Sequence, residues 1–213
     1  MARTALLVGA TGLVGTALLD RLLAAPEYTT VTVLGRRPPP LSHAKLRYVQ
    51  STLEDLDSLD DPLAVDDVFC CLGTTTKAAG GNAGLERVDY TMVLAVARAA
   101  QAGGATRFFG VSAAGTSARA MTFYSRLKAR MEHDVAEVGY TATHFFRPSL
   151  LLGARTESRP AEALGQTIAP LLAPLCIGPL RKYRPITAAE VADAMLLIAR
   201  RHSSGVQVHD LPL

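Results

Sequence analysis

Three glycines within seven residues, Gly9-Ala10-Thr11-Gly12-Leu13-Val14-Gly15, join a short apolar run at residues 5–8 to a helix-like segment starting at Leu13. A strand that turns sharply into a helix needs positions without a Cβ. Gly9 lets the chain turn as it leaves the strand. Gly12 removes a side chain where the backbone must approach a ligand, and Gly15 lets the helix pack closely on the sheet. A helix opened this way presents unpaired N–H groups and a partial positive charge to an anion. In isolation the G-x-x-G-x-x-G spacing also describes a tight turn with incidental glycines. Its place between a first strand and an amphipathic helix supports a loop that cradles the phosphates of a dinucleotide.

The rest of the chain alternates short apolar runs with longer helical patterns, the arrangement of βαβ units and a parallel sheet. Strands are expected at residues 5–8, 30–34, 46–49, 67–72, 107–112 and 142–146, and helices over 13–25, 85–102 and 122–138. Thr187 and Glu190 form a capping-box pattern that opens a helix over 187–201, and residues 205–210 read as a last strand. Pro160, Pro170, Pro174, Pro179 and Pro185 interrupt residues 153–185. The expected fold is α/β, a doubly wound parallel sheet of the Rossmann type. It forms one domain over residues 1–213, with 153–185 as a small Pro-rich lid over the substrate.

Composition narrows the partners. Twenty-two basic and 19 acidic residues leave a net charge of +3, and the cations are scattered in pairs such as Arg36-Arg37 and Arg181-Lys182. No dense basic patch for nucleic acid results. Cys70, Cys71 and Cys176 follow no pairing pattern, and the five histidines lack ligand spacing, so a reducing compartment and no metal site are expected. The apolar stretch at 168–180 is broken by prolines and shorter than the roughly 20 residues of a membrane span, so no membrane partner is expected. The first residues are too short for a secretory signal, which leads to the expectation of a cytoplasmic protein. Oligomerisation is left open.

About twenty residues beyond the glycine loop, a site for NAD would carry an acidic residue facing the ribose hydroxyl. This chain has Gly35-Arg36-Arg37 there. A guanidinium holds a 2′-phosphate through charge-assisted bonds, and a carboxylate would repel it. NADP(H) is therefore expected over NAD(H), the alternative being a solvated arginine pair. Further on, Tyr124 and Lys128 stand four residues apart in a helical pattern, which places the phenol and the ammonium on one face. A lysine cation favours the phenolate and brings the tyrosine towards a useful operating range. Ser112 ends the preceding strand and faces the crevice at the carboxyl ends of the strands, where it either meets a ligand or caps the next segment.

Several stretches together resemble one family. They are the glycine loop, Phe69-Cys70-Cys71-Leu72-Gly73-Thr74-Thr75, Arg87-Val88-Asp89-Tyr90, Tyr124-Ser125-Arg126-Leu127-Lys128, Phe146-Arg147-Pro148-Ser149 and Glu157-Ser158-Arg159-Pro160. In this order they resemble the atypical short-chain dehydrogenases of the Tat-interactive-protein-2 oxidoreductase-like branch. The resemblance implies an NADP(H) site and a catalytic set of Ser112, Tyr124 and Lys128. Tyr124 would exchange the proton, Lys128 would bind the ribose hydroxyls, and Ser112 would hold the reacting oxygen. Leu72, Gly73 and Thr74 would lie along the cofactor, with Pro148, Ser149 and Leu150 beside the nicotinamide. Dehydrogenases of this type often carry Asn where this chain has Asp89. The expected function is an NADPH-dependent oxidoreductase for a small carbonyl or alcohol. The alternatives are an NADP(H)-binding regulator and, third, a nucleotide-sugar epimerase.

Overall fold

The computed structural model describes residues 2–54, 56, 63–152 and 184–212. In chain order its elements are β1 (Arg3–Val8), α1 (Leu13–Ala24), β2 (Tyr28–Gly35), β3 (Leu46–Gln50), β4 (Asp67–Cys70) and α2 (Asn82–Glu86). A π-helical turn (Arg87–Thr91) leads into α3 (Met92–Ala102), followed by β5 (Arg107–Val111), α4 (Phe123–Ala136) and β6 (Ala142–Arg147). Then come β7 (Leu151–Leu152), β8 (Ile186–Thr187), α5 (Ala188–Ala199) and β9 (Gly205–Asp210).

Seven strands form one sheet in the order β3-β2-β1-β4-β5-β6-β9, and all its pairings are parallel. Residues 5–8 of β1 are buried without interruption, as a central strand covered on both faces requires. Alternate side chains go to opposite layers. Leu7 joins Leu18, Leu22, Val191 and Met195 under α1 and α5, whereas Leu6 and Val8 join Val93, Val96, Met131 and Val135 under α3 and α4. The sheet is doubly wound. Strand order reverses between β1 and β4, and the crevice of such a sheet opens there, at the carboxyl ends of the strands.

The opposite end of the sheet is pinned. Buried Asp67 accepts two bonds from Arg107, at 2.7 and 2.5 Å, and one from the Tyr28 hydroxyl at 2.6 Å. Arg3 and Arg107 both donate to the Ala199 carbonyl, where α5 ends. Four strands and one helix are thereby tied below the crevice.

Three expectations change in detail. β4 ends at Cys70 rather than Leu72, and residues 71–75 form a loop. The helix expected over 85–102 contains the π-helical turn, because its period is locally stretched around Asp89. The short parallel pair β7–β8 was not expected, since two residues carry no periodicity. Of the lid expected at 153–185, only Arg184 and Pro185 fall within the described residues.

Candidate active site

The glycine loop has the backbone that its sequence requires. Gly9 adopts φ +79°, and a Cβ there would sit 2.5 Å from the Cys71 carbonyl oxygen. A Cβ on Gly15 would collide with the Gly9 carbonyl, so both glycines build the turn itself. Gly12 differs. A Cβ there would meet nothing closer than 3.4 Å, so the residue leaves open space above the loop. Gly12 also caps α1 without any side-chain bond, and the first turn carries no acidic residue. Ala10, Thr11, Leu13 and Val14 complete the loop, and the first N–H groups of α1 have no side-chain acceptor. This donor set fits a pyrophosphate.

A cavity of about 540 Å³ extends from the loop over the ends of β1, β2 and β4. Of the expected residues, Gly9, Ala10, Thr11, Arg36, Arg37, Leu72 and Thr74 line it. Arg36 and Arg37 are exposed at its edge, and among the described residues neither pairs with a carboxylate. Thr52, Leu53, Glu54 and Arg87 also line the cavity and were not anticipated. Glu54 and Arg87 form an ion pair. Leu53 has φ 65°, rare for a branched side chain, and its N–H is held by the Ser51 hydroxyl at 3.0 Å. The serine two residues before Leu53 was the one local signal for this turn.

Ser112, Tyr124, Lys128, Pro148, Ser149 and Leu150 lie outside this lining. Thr122 caps α4 by accepting the Ser125 N–H, which starts the helix one residue before Tyr124. Lys128 is only 2% exposed, and its Nζ lies 5.9 Å from the centre of the half-buried Tyr124 ring. The same ammonium stands 2.9 Å from Asp89 Oδ1 and donates to the Val111 carbonyl at 3.4 Å. Burial works against the charge of Lys128, but Tyr124 and Asp89 together hold its pKa above the ordinary lysine value. Ser112, next along the chain from Val111, is buried, and its Oγ is 3.4 Å from Thr116 Oγ1. Lys128 and Ser112 thus share the carboxyl end of β5.

The remaining expected residues bridge neighbouring loops. Asp89 Oδ2 accepts the Thr74 N–H at 2.8 Å, and Gly73 lies beside the same carboxylate. The Pro148 carbonyl accepts the Ala114 N–H, Ser149 donates to the Arg184 carbonyl, and the Leu150 carbonyl accepts the Ile186 N–H. Behind Lys128, burial pushes the Cys70 thiol up to about 11. It is protonated at neutral pH and no nucleophile.

Residues 9–151 match the model of a family described as NAD(P)H-binding. The chain is 34% identical over 177 residues to the mitochondrial protein fmp52-1 of Aspergillus oryzae, covering 79% of this chain and 74% of that one. It is 34% identical over 168 residues to Protein HTATIP2 of Rattus norvegicus, covering 77% and 69%. Among solved structures, MoeE5 in complex with UDP-glucuronic acid and NAD superposes with a TM-score of 0.73 at 17% identity, over 96% of this chain and 75% of that one. A UDP-N-acetylglucosamine 4-epimerase from Methanobrevibacter ruminantium superposes with a TM-score of 0.71 at 17% identity, over 100% and 77%. These likenesses establish the fold as that of the short-chain dehydrogenases and epimerases.

The names of the fungal relatives overturn the expected cytoplasmic location, since they are called mitochondrial. A cellular address is read by receptors from signals that need take no part in the fold, so the apolar start of β1 carried no information on it. No helix among the described residues is long and apolar enough to cross a membrane.

Proposed function

This chain belongs to the NAD(P)H-binding, oxidoreductase-like family that includes the HTATIP2 and Fmp52 proteins, and on that premise we propose that it is an NADPH-dependent oxidoreductase acting on a small carbonyl or alcohol. The observation that carries the proposal is the Tyr124–Lys128 pair, set one helical turn apart at the end of β5 with the ammonium buried. A site that only bound a dinucleotide would have no need of a phenol beside a charged, desolvated lysine.

When bound, the cofactor supplies or accepts a hydride. The Gly9–Gly15 loop and the start of α1 hold the pyrophosphate, and Arg36 and Arg37 take the 2′-phosphate. Lys128 donates to the ribose hydroxyls. In the reducing direction Tyr124 gives its hydroxyl proton to the carbonyl oxygen, and Ser112 Oγ donates a hydrogen bond to the same atom. In the oxidising direction Tyr124 takes the proton back.

Two other readings are a cofactor-binding regulator without turnover and a nucleotide-sugar epimerase. The second is favoured by neighbours whose likeness is one of fold alone. The test is NADPH consumption against a panel of aldehydes, ketones and UDP-sugars, with Tyr124→Phe as control. The proposal expects turnover with at least one carbonyl compound and a loss of about 10²–10⁴-fold in the variant. Equal turnover in both proteins, or none across the panel while NADPH binds, would favour the regulator. Interconversion of UDP-sugars without net NADPH consumption would favour the epimerase.

A further inference from the structure

We infer that Asp89 is a positioning residue that neutralises Lys128, so that Tyr124 faces a net-neutral ion pair rather than a free cation. The inference rests on the reading of Tyr124 and Lys128 as the reacting pair.

Asp89 is fully buried on the π-helical turn, in line with the buried apolar residues Leu85 and Val93. A carboxylate in such a stripe is costly unless it is paired. Oδ2 takes the Thr74 N–H at 2.8 Å, and Oδ1, which accepts no hydrogen bond among the described residues, is matched by charge alone, 2.9 Å from Lys128 Nζ. The carboxylate therefore joins the loop after β4 to α4 and sets the ammonium against the carboxyl end of β5.

Among the described residues, the polar groups facing the ammonium come from four elements. Asp89 comes from the π-helical turn, Tyr124 from α4, the Cys70 thiol from β4 and the Val111 carbonyl from β5. Cys70 is protonated at neutral pH and adds no charge. A lone ammonium, with Nζ 5.9 Å from the centre of the phenol ring, would favour the phenolate and lower its titration. Asp89 at contact distance turns that cation into a dipole and removes most of the effect. In the wild type Lys128 then acts on Tyr124 chiefly by placement. The Asn of related dehydrogenases could not cancel the charge in this way.

The charge of the cluster gives the test its order. Wild type and the double variant Asp89→Asn/Lys128→Met are neutral, and Asp89→Asn leaves one positive charge. Asn at position 89 retains an oxygen for the Thr74 N–H. NMR of protein labelled at the tyrosine ring carbon follows each phenol through its titration, and the Tyr124 signal is the one missing in Tyr124→Phe. Expected is a Tyr124 midpoint lower by about one to two pH units in Asp89→Asn and restored to within about half a unit in the double variant. A midpoint unmoved in Asp89→Asn overturns the inference. So does a double variant that titrates more than about one unit above wild type, because wild type would then feel a net cation. If circular dichroism shows that Asp89→Asn does not fold, the comparison of double variant and wild type decides alone. The titration uses neither cofactor nor substrate. A protein that gives this order without consuming NADPH retains the role of Asp89 and refutes only the enzymatic reading.

Discussion

At the residue scale, the cofactor loop and its arginines make separable predictions. Gly9→Ala forces a Cβ against the Cys71 carbonyl at a backbone φ of +79°, so it should weaken NADPH binding and also lower stability. Calorimetric titration and a thermal melt read both effects, and unchanged values would show that the loop tolerates the clash. Arg36→Ala with Arg37→Ala acts only on preference. Removing two cations from a 2′-phosphate should cost about 2–3 kcal/mol in NADPH binding, since charge-assisted bonds are worth about 1.5–3 kcal/mol, and leave NADH nearly unaffected. Equal losses for the two cofactors would contradict a 2′-phosphate site. The turn glycines were legible because a strand that runs straight into a helix needs positions without a Cβ, whereas Arg36 and Arg37 read either as phosphate ligands or as a solvated pair. Asp89 was visible as a departure from the Asn of related dehydrogenases but not as the partner of Lys128. The signal was nonetheless present, for two opposite charges, Asp89 and Lys128, each lie in an apolar helical stripe.

At the scale of elements, the alternation of short apolar runs with helical patterns located the seven strands of the main sheet, and the Thr187/Glu190 capping box marked the start of α5. The π-helical turn was hidden because no residue pattern separates it from the α-helix that it interrupts. The lining by Thr52, Leu53, Glu54 and Arg87 was hidden for another reason. These residues are joined to the glycine loop by parallel strand order, which places β3 two strands from β1, and by no local spacing. Below the sheet, the Asp67 cluster ties β1, β2, β4 and β5 to the end of α5. Asp67→Asn leaves the half-buried Arg107 without its buried carboxylate. A loss of about 3–5 kcal/mol in urea-unfolding free energy is expected. A change below about 1 kcal/mol, the worth of a surface pair, would show that the cluster is no pin.

For the whole molecule, stability should depend on pH through the edge strand β9. The buried His144 lies 3.0 Å from His209 and 2.8 Å from Ser203 Oγ. Burial, helped by His209, lowers the His144 pKa to about 4. The unfolded chain binds this proton near 6.5 and the native protein only near 4, so the unfolded state gains protons first as the pH falls. The contribution is complete above about pH 6.5 and is lost between there and about pH 4, by a few kcal/mol at most. Urea unfolding of wild type and His144→Gln at several pH values reads it, and parallel curves for the two would refute it.

Hydride transfer is what separates the proposed oxidoreductase from a fold that only holds a dinucleotide. The most direct measurement is isotope transfer from NADPH deuterated at the reactive carbon of the nicotinamide to a carbonyl compound, followed by mass spectrometry of the alcohol. Carbon-bound deuterium is expected in the product with wild type, and a near-complete loss with Tyr124→Phe, whose NADPH affinity stays unchanged. Deuterium transfer of equal extent in both proteins, or tight NADPH binding with no transfer to any carbonyl compound, would contradict the proposed oxidoreductase.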